Sequence, residues 1–250
     1  MRQFTVHHDG VTIPVSRGGA GRPLVLCPGL NATQADLREL ATLLRRDHDV
    51  LTLDLRGHGL ASAAGDYSFA GFLDDLAAVL AEVEKPVLVG YSLGADLAAH
   101  YAAEHPGAVE RLVLVDGAIP VPEPFLTEAD LPLFRGMWDE MATEQRARRD
   151  TARRVVLTGP EILGLNLEID AVRSRILGRY REIDRPVSLI ASTSMAGAGD
   201  DELVVRVNRN WRAGVERLRR EQPEVVTSWV EADHGLVFTH ATEVARLIAA

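Results

Sequence analysis

The sequence predicts an α/β protein: a mostly parallel, twisted sheet of about eight strands, flanked by helices and carrying one helical insertion. Three observations point there. Short apolar runs alternate with segments of helical period over most of the chain. The central runs, such as 24–27 and 86–90, are almost free of charge, as strands buried on both faces require. Between Asp116 and Pro186 the alternation stops, for far longer than the dozen or so residues that a crossover between parallel strands needs.

Taken in order, residues 3–7 and 11–16 read as two strands joined by the Asp9-Gly10 turn, a hairpin signal. Residues 24–27 form a buried strand. Residues 33–46 form a helix with Thr33 as N-cap and Leu37, Leu40, Leu43 and Leu44 on one face. A strand at 49–53 and a helix at 69–84 follow. A strand at 86–90, a helix at 93–104 and a strand at 111–115 complete the first alternation. It resumes with a strand at 187–191, a helix at 202–220, a strand at 225–231 and a closing helix at 241–249. The interruption has amphipathic stretches at 127–150 and 168–183. Residues 1–116 and 186–250 are therefore expected to form the core, with 117–185 as a helical cap or lid.

Composition limits the function classes. The chain has 250 residues, 46% hydrophobic and 25% charged, which is ordinary for a globular domain and wrong for a disordered one. A net charge of −9 argues against a nucleic-acid partner, which needs a concentrated basic face. The single cysteine, Cys27, lies in an apolar run and reads as a small core residue. The N-terminal residues have no signal-peptide pattern, and the longest charge-free stretches, 86–95 and 186–199, are too short to span a bilayer. A cytoplasmic protein with a small-molecule substrate and no membrane partner is expected, with a homodimer left open. No Cys or His cluster has metal-ligand spacing, and no cofactor is called for.

One motif carries chemistry. Gly90-Tyr91-Ser92-Leu93-Gly94 fits G-x-S-x-G, directly after a strand and directly before a helix. That setting predicts a tight turn that lifts the Ser92 hydroxyl above the sheet. Glycines on either side let strand end and helix start approach. The helix N-terminus behind it favours developing negative charge. A serine needs an adjacent base, and among the histidines His234 is best placed, after the last strand and before the last helix. His58, in a turn after 49–53, reads as structural or pocket-lining.

With these residues the chain resembles the α/β-hydrolase family, in its group with a helical cap between the sixth and seventh strands of the sheet. Leu26-Cys27-Pro28-Gly29-Leu30-Asn31, Asp54-Leu55-Arg56-Gly57-His58-Gly59 and Asp233-His234-Gly235 fall where that family has characteristic turns. The resemblance implies a serine, acid, histidine order along the chain. It places the acid first in the loop after the seventh strand, where the first carboxylate is Asp200. Asp116, at the end of the sixth strand, is the alternative, followed by Asp201. Asp200 or Asp201 also suits the N-cap of the helix at 202. The oxyanion hole falls to the backbone N–H groups of Leu30 and Leu93. Asn31 either adds a donor or shapes the turn.

The expectation is a serine hydrolase that cleaves a carboxylic ester or lactone of a small apolar substrate through an acyl-enzyme on Ser92. Leu126, Leu131, Leu133, Phe134, Met137, Trp138 and Met141 either roof the pocket or pack the cap. The rivals on the same triad are cofactor-free perhydrolase or haloperoxidase chemistry and carbon–carbon bond hydrolysis. A ligand-binding protein on a hydrolase scaffold is the rival of another class.

Overall fold

The computed structural model describes residues 1–250. Its centre is one eight-stranded sheet with the order β1-β2-β4-β3-β5-β6-β7-β8. The strands are β1 (Arg2–His8), β2 (Val11–Gly19), β3 (Arg22–Cys27), β4 (His48–Leu53), β5 (Val87–Tyr91), β6 (Arg111–Val115), β7 (Val187–Ser192) and β8 (Val226–Val230). The β1–β2 hairpin turns at Asp9 and Gly10, both at positive φ, and β2 pairs β4 antiparallel. All other pairings are parallel.

Alternate strand residues feed two cores. Leu24, Leu26, Val87, Val89, Val113 and Val115 pack with α1 (Arg38–Leu44), α8 (Leu236–Thr239) and α9 (Ala241–Ala249). Val25, Cys27, Leu88, Leu112 and Leu114 face the opposite core, with α2 (Phe69–Leu80), α3 (Leu93–Glu104) and α7 (Glu202–Glu221). The segment between β6 and β7 holds α4 (Leu131–Ala147), α5 (Gly159–Arg173) and α6 (Ile176–Glu182), whose apolar residues join the second core. A buried ion pair adds to this apolar packing. The Arg173 guanidinium forms a two-point pair with Asp96 of α3, at 2.9 and 2.7 Å, with both side chains buried. Within the insertion, Asp170 accepts the amides of Phe125 and Leu126. No helix is long and apolar enough to cross a membrane.

Several expected boundaries move, each for a physical reason. The helix expected at 33–46 starts only at Arg38, because its first turn is spent elsewhere. Gln34 gives its backbone and side-chain N–H groups to Asp54, and the Thr33 hydroxyl turns to Asp36. The helix expected at 69–84 is capped by the Ser68 hydroxyl and stops at Leu80; the chain then turns through Lys85 at φ 42°. The expected 127–150 helix is α4. The expected 168–183 helix is two helices, and α5 begins at Gly159. Pro160 suits the first turn of a helix, and Thr158 with Glu161 closes a capping box. The short α8 was not expected.

Candidate active site

Ser92 stands between the last residue of β5 and the first of α3, at φ 53° and ψ −121°. That conformation is costly for a residue with a Cβ and persists only where its surroundings enforce it. The surroundings are tight. A Cβ on Gly90 would lie 2.1 Å from the Gly94 carbonyl oxygen, and one on Gly94 would lie 2.5 Å from the carbonyls of Cys27 and Pro28. The Ser92 amide donates to the Val115 carbonyl at 2.9 Å, tying the bend to the end of β6.

From this bend a chain of hydrogen bonds runs across three elements. Ser92 Oγ is 2.9 Å from His234 Nε2, and His234 Nδ1 is 2.7 Å from Asp116 Oδ2. A carboxylate only accepts, so Nδ1 carries the proton and Nε2 is left to accept from the serine hydroxyl. Asp116 is fully buried. Its Oδ1 accepts the Ser192 amide at 2.7 Å and its Oδ2 the Ser192 hydroxyl at 2.9 Å, so both oxygens are occupied at the ends of neighbouring strands. His234 is held by main chain as well: its N–H donates to the Met195 carbonyl, and its own carbonyl accepts the Tyr91 hydroxyl at 2.8 Å. The Tyr91 ring lies 5.3 Å from the imidazole, and burial pushes its phenol far above the ordinary range.

The expectation that Asp200 is the third member is corrected by this geometry. Asp200 is exposed in the loop after β7, and the carboxylate on the imidazole is Asp116. Asp201 caps α7 through the Val204 amide. The loop does approach the histidine, but through the Met195 carbonyl, with no carboxylate at that point. A signal for Asp116 was present: it ends the apolar run 112–115, and a carboxylate buried there needs polar partners. Nothing in the sequence pointed to Ser192.

The two expected backbone donors flank the same cavity. Leu93 is the first residue of α3, so its N–H has no partner within the helix. Leu30 lies in the turn Gly29–Ala32, closed by the Ala32 amide on the Gly29 carbonyl at 3.2 Å. That turn rests against the nucleophile: a Cβ on Gly29 would be 2.8 Å from Ser92 Cβ. The cavity, about 270 Å³, is bounded by Leu30, Leu93, Ser92 and His234 below, and by Phe125, Phe134, Met137 and Trp138 from the insertion. Of the seven apolar residues singled out in the insertion, Phe134, Met137 and Trp138 reach the cavity. Leu126 and Met141 pack in the core, Leu131 is half-buried outside the cavity, and Leu133 is exposed.

A second concavity beside β1 and β2 holds none of these groups and is set apart from the hydrogen-bonded chain. Among known proteins, a family model described as the alpha/beta hydrolase fold matches residues 22–229. An sn-1-specific diacylglycerol lipase of Xenopus laevis is 32% identical over 139 residues, 54% of this chain and 44% of that protein. A non-heme haloperoxidase of Rhodococcus erythropolis is 34% identical over 122 residues, 47% of this chain and 44% of that protein. This chain thus spans less than half the length of either relative. The crystal structure of an N-formylmaleamic acid deformylase variant from Pseudomonas putida S16 superposes with a TM-score of 0.72 at 20% identity, covering 98% of this chain and all of that one.

Proposed function

The chain belongs to the alpha/beta hydrolase fold family, and from that premise we propose that it is a serine hydrolase acting on a carboxylic ester or lactone of a small apolar substrate. The observation that carries this reading is the continuous hydrogen-bonded chain from Ser92 through His234 to Asp116. In the proposed reaction Ser92 Oγ attacks the acyl carbonyl while His234 Nε2 takes its proton. Asp116, itself held by Ser192, keeps the imidazole in the tautomer that can do this and stabilises its charged form. The oxyanion is met by the amides of Leu30 and Leu93. The imidazolium then protonates the departing alcohol. Water, deprotonated by the same nitrogen, attacks the acyl-enzyme and releases the acid.

The substrate class is supported by the cavity. Phe125, Phe134, Met137, Trp138 and Ile169 of the insertion line it beside Asn166 and Asp170, and its Arg173 is already paired with Asp96, so no free cation is offered to an anionic substrate. The test is labelling with a fluorophosphonate together with hydrolysis of short-chain p-nitrophenyl esters. Wild type is expected to label and to turn over, and Ser92→Ala to lose the label and at least about 10⁴-fold in kcat. A wild type that does neither overturns the reading.

A further inference from the structure

His58 takes no part in the proton transfers above, yet both of its ring nitrogens are committed. The ring is fully buried. Nδ1 lies 2.8 Å from the Arg56 carbonyl oxygen, which only accepts, so this nitrogen bears the proton. Nε2 is therefore an acceptor, and the Asn31 amide donates to it at 3.1 Å. Burial pushes the imidazole pKa down to about 4, so the ring remains neutral and keeps its acceptor near neutral pH. Asn31 is at φ 63° in the Gly29–Ala32 turn, immediately after Leu30.

The other side of His58 faces the insertion. The Gly59 amide donates to the Arg154 carbonyl at 2.7 Å, and the Val156 amide to the Gly57 carbonyl at 2.9 Å, so His58 and Val155 form an isolated antiparallel bridge. A segment of the insertion is thus stitched by main chain to the residues on either side of a ring that grips the turn beside Ser92.

We propose that His58 is a positioning residue for the oxyanion hole, fixing the Gly29–Ala32 turn through the Asn31 amide and linking its placement to the seating of the insertion. The inference rests on the serine-hydrolase reading. It assigns His58 an effect on transition-state stabilisation rather than on substrate capture. A turn free to shift would present the Leu30 N–H less well to the oxyanion, and only interactions stronger in the transition state change kcat.

Two substitutions separate positioning from packing. The amide of His58→Asn falls near Nδ1, where it can still serve the Arg56 carbonyl but leaves the Asn31 amide without an acceptor. The longer His58→Gln reaches the Nε2 position and restores that acceptor while giving up the Arg56 contact. Each leaves one buried backbone group unpaired, so their melting temperatures should fall comparably. For p-nitrophenyl butyrate, His58→Asn is expected to lose about tenfold in kcat with KM within about twofold, a fraction of the 10²–10³ that loss of a whole oxyanion donor costs. Its affinity for a trifluoromethyl ketone, which forms an oxyanion on the serine, should fall in step. His58→Gln should stay within about threefold of wild type on both measures. Wild-type kcat in the Asn variant, or equal losses in both, overturns the proposal. Ring-nitrogen NMR of the wild type needs no variant to fold: an Nδ1–H tautomer supports the assignment, and Nε2–H overturns it. A wild type that neither labels with fluorophosphonate nor turns over removes the serine-hydrolase reading, and this inference with it, whereas an active wild type with an indifferent Asn variant removes this inference alone.

Discussion

Asp116 is placed by a single backbone geometry: it follows β6 at φ 51°, with its amide on the Ile190 carbonyl and its side chain turned toward β7 and the histidine. Because the carboxylate is buried and fully bonded, changing it to an amide should present an N–H where the imidazole needs an acceptor, or leave the wrong tautomer. Asp116→Asn is expected to lower kcat about 10⁴-fold, as the analogous change does in serine proteases. Asp200→Asn should leave it within about twofold, since an exposed carboxylate remote from the imidazole has little to lose. Steady-state ester hydrolysis by the two variants is the check. At this scale Ser92 and the histidine were legible because a strand–turn–helix setting and position after the last strand are local features. The acid was not. It is selected by which of two loops comes nearer the imidazole, a fact of three-dimensional neighbourhood that spacing along the chain does not carry.

Between elements, one buried charged pair ties the insertion to the core. Arg173 at the end of α5 reaches Asp96 in the first turn of α3, and Asp96 also accepts the Ala118 amide where the chain leaves the core. Arg173→Met would leave Asp96 as a buried charge without a counterion, and is expected to cost about 3–5 kcal/mol. For a chain of this size that is a fall in Tm on the order of 10 °C, read by calorimetry. The apolar side of the pair, Trp211 with its ring 5.9 Å from the guanidinium, would remain to fill the space. The strands were readable because charge-free runs have few alternatives. Helix starts were harder. Gln34 leaves its expected helix for Asp54, a partner twenty residues away, and the start of α5 hides in a Gly-Pro pair.

For the molecule as a whole, a buried neutral histidine makes stability depend on pH. In the folded chain burial holds His58 near pKa 4, and lowers His100 in the same direction. The unfolded chain takes up a proton on His58 near 6.5, which the folded chain refuses until about 4. The stability from keeping the ring neutral is therefore complete above pH 6.5 and is lost as the pH falls toward 4, by up to about 3 kcal/mol for His58. Asp54 and Asp170, whose pKa values burial raises, act in the opposite sense, gaining on acidification. The Tm of wild type should accordingly drop more steeply from pH 7.5 to 4.5 than that of His58→Gln; parallel curves would contradict the assignment. The register of β5 on β6 has a wider consequence. Tyr91 pairs with Val115, so the reacting hydroxyl and the acid emerge side by side from adjoining strands. The stretch 198–200 beyond the Met195 contact supplies neither group. A short peptide spliced into this exposed stretch is therefore expected to leave the chemistry untouched.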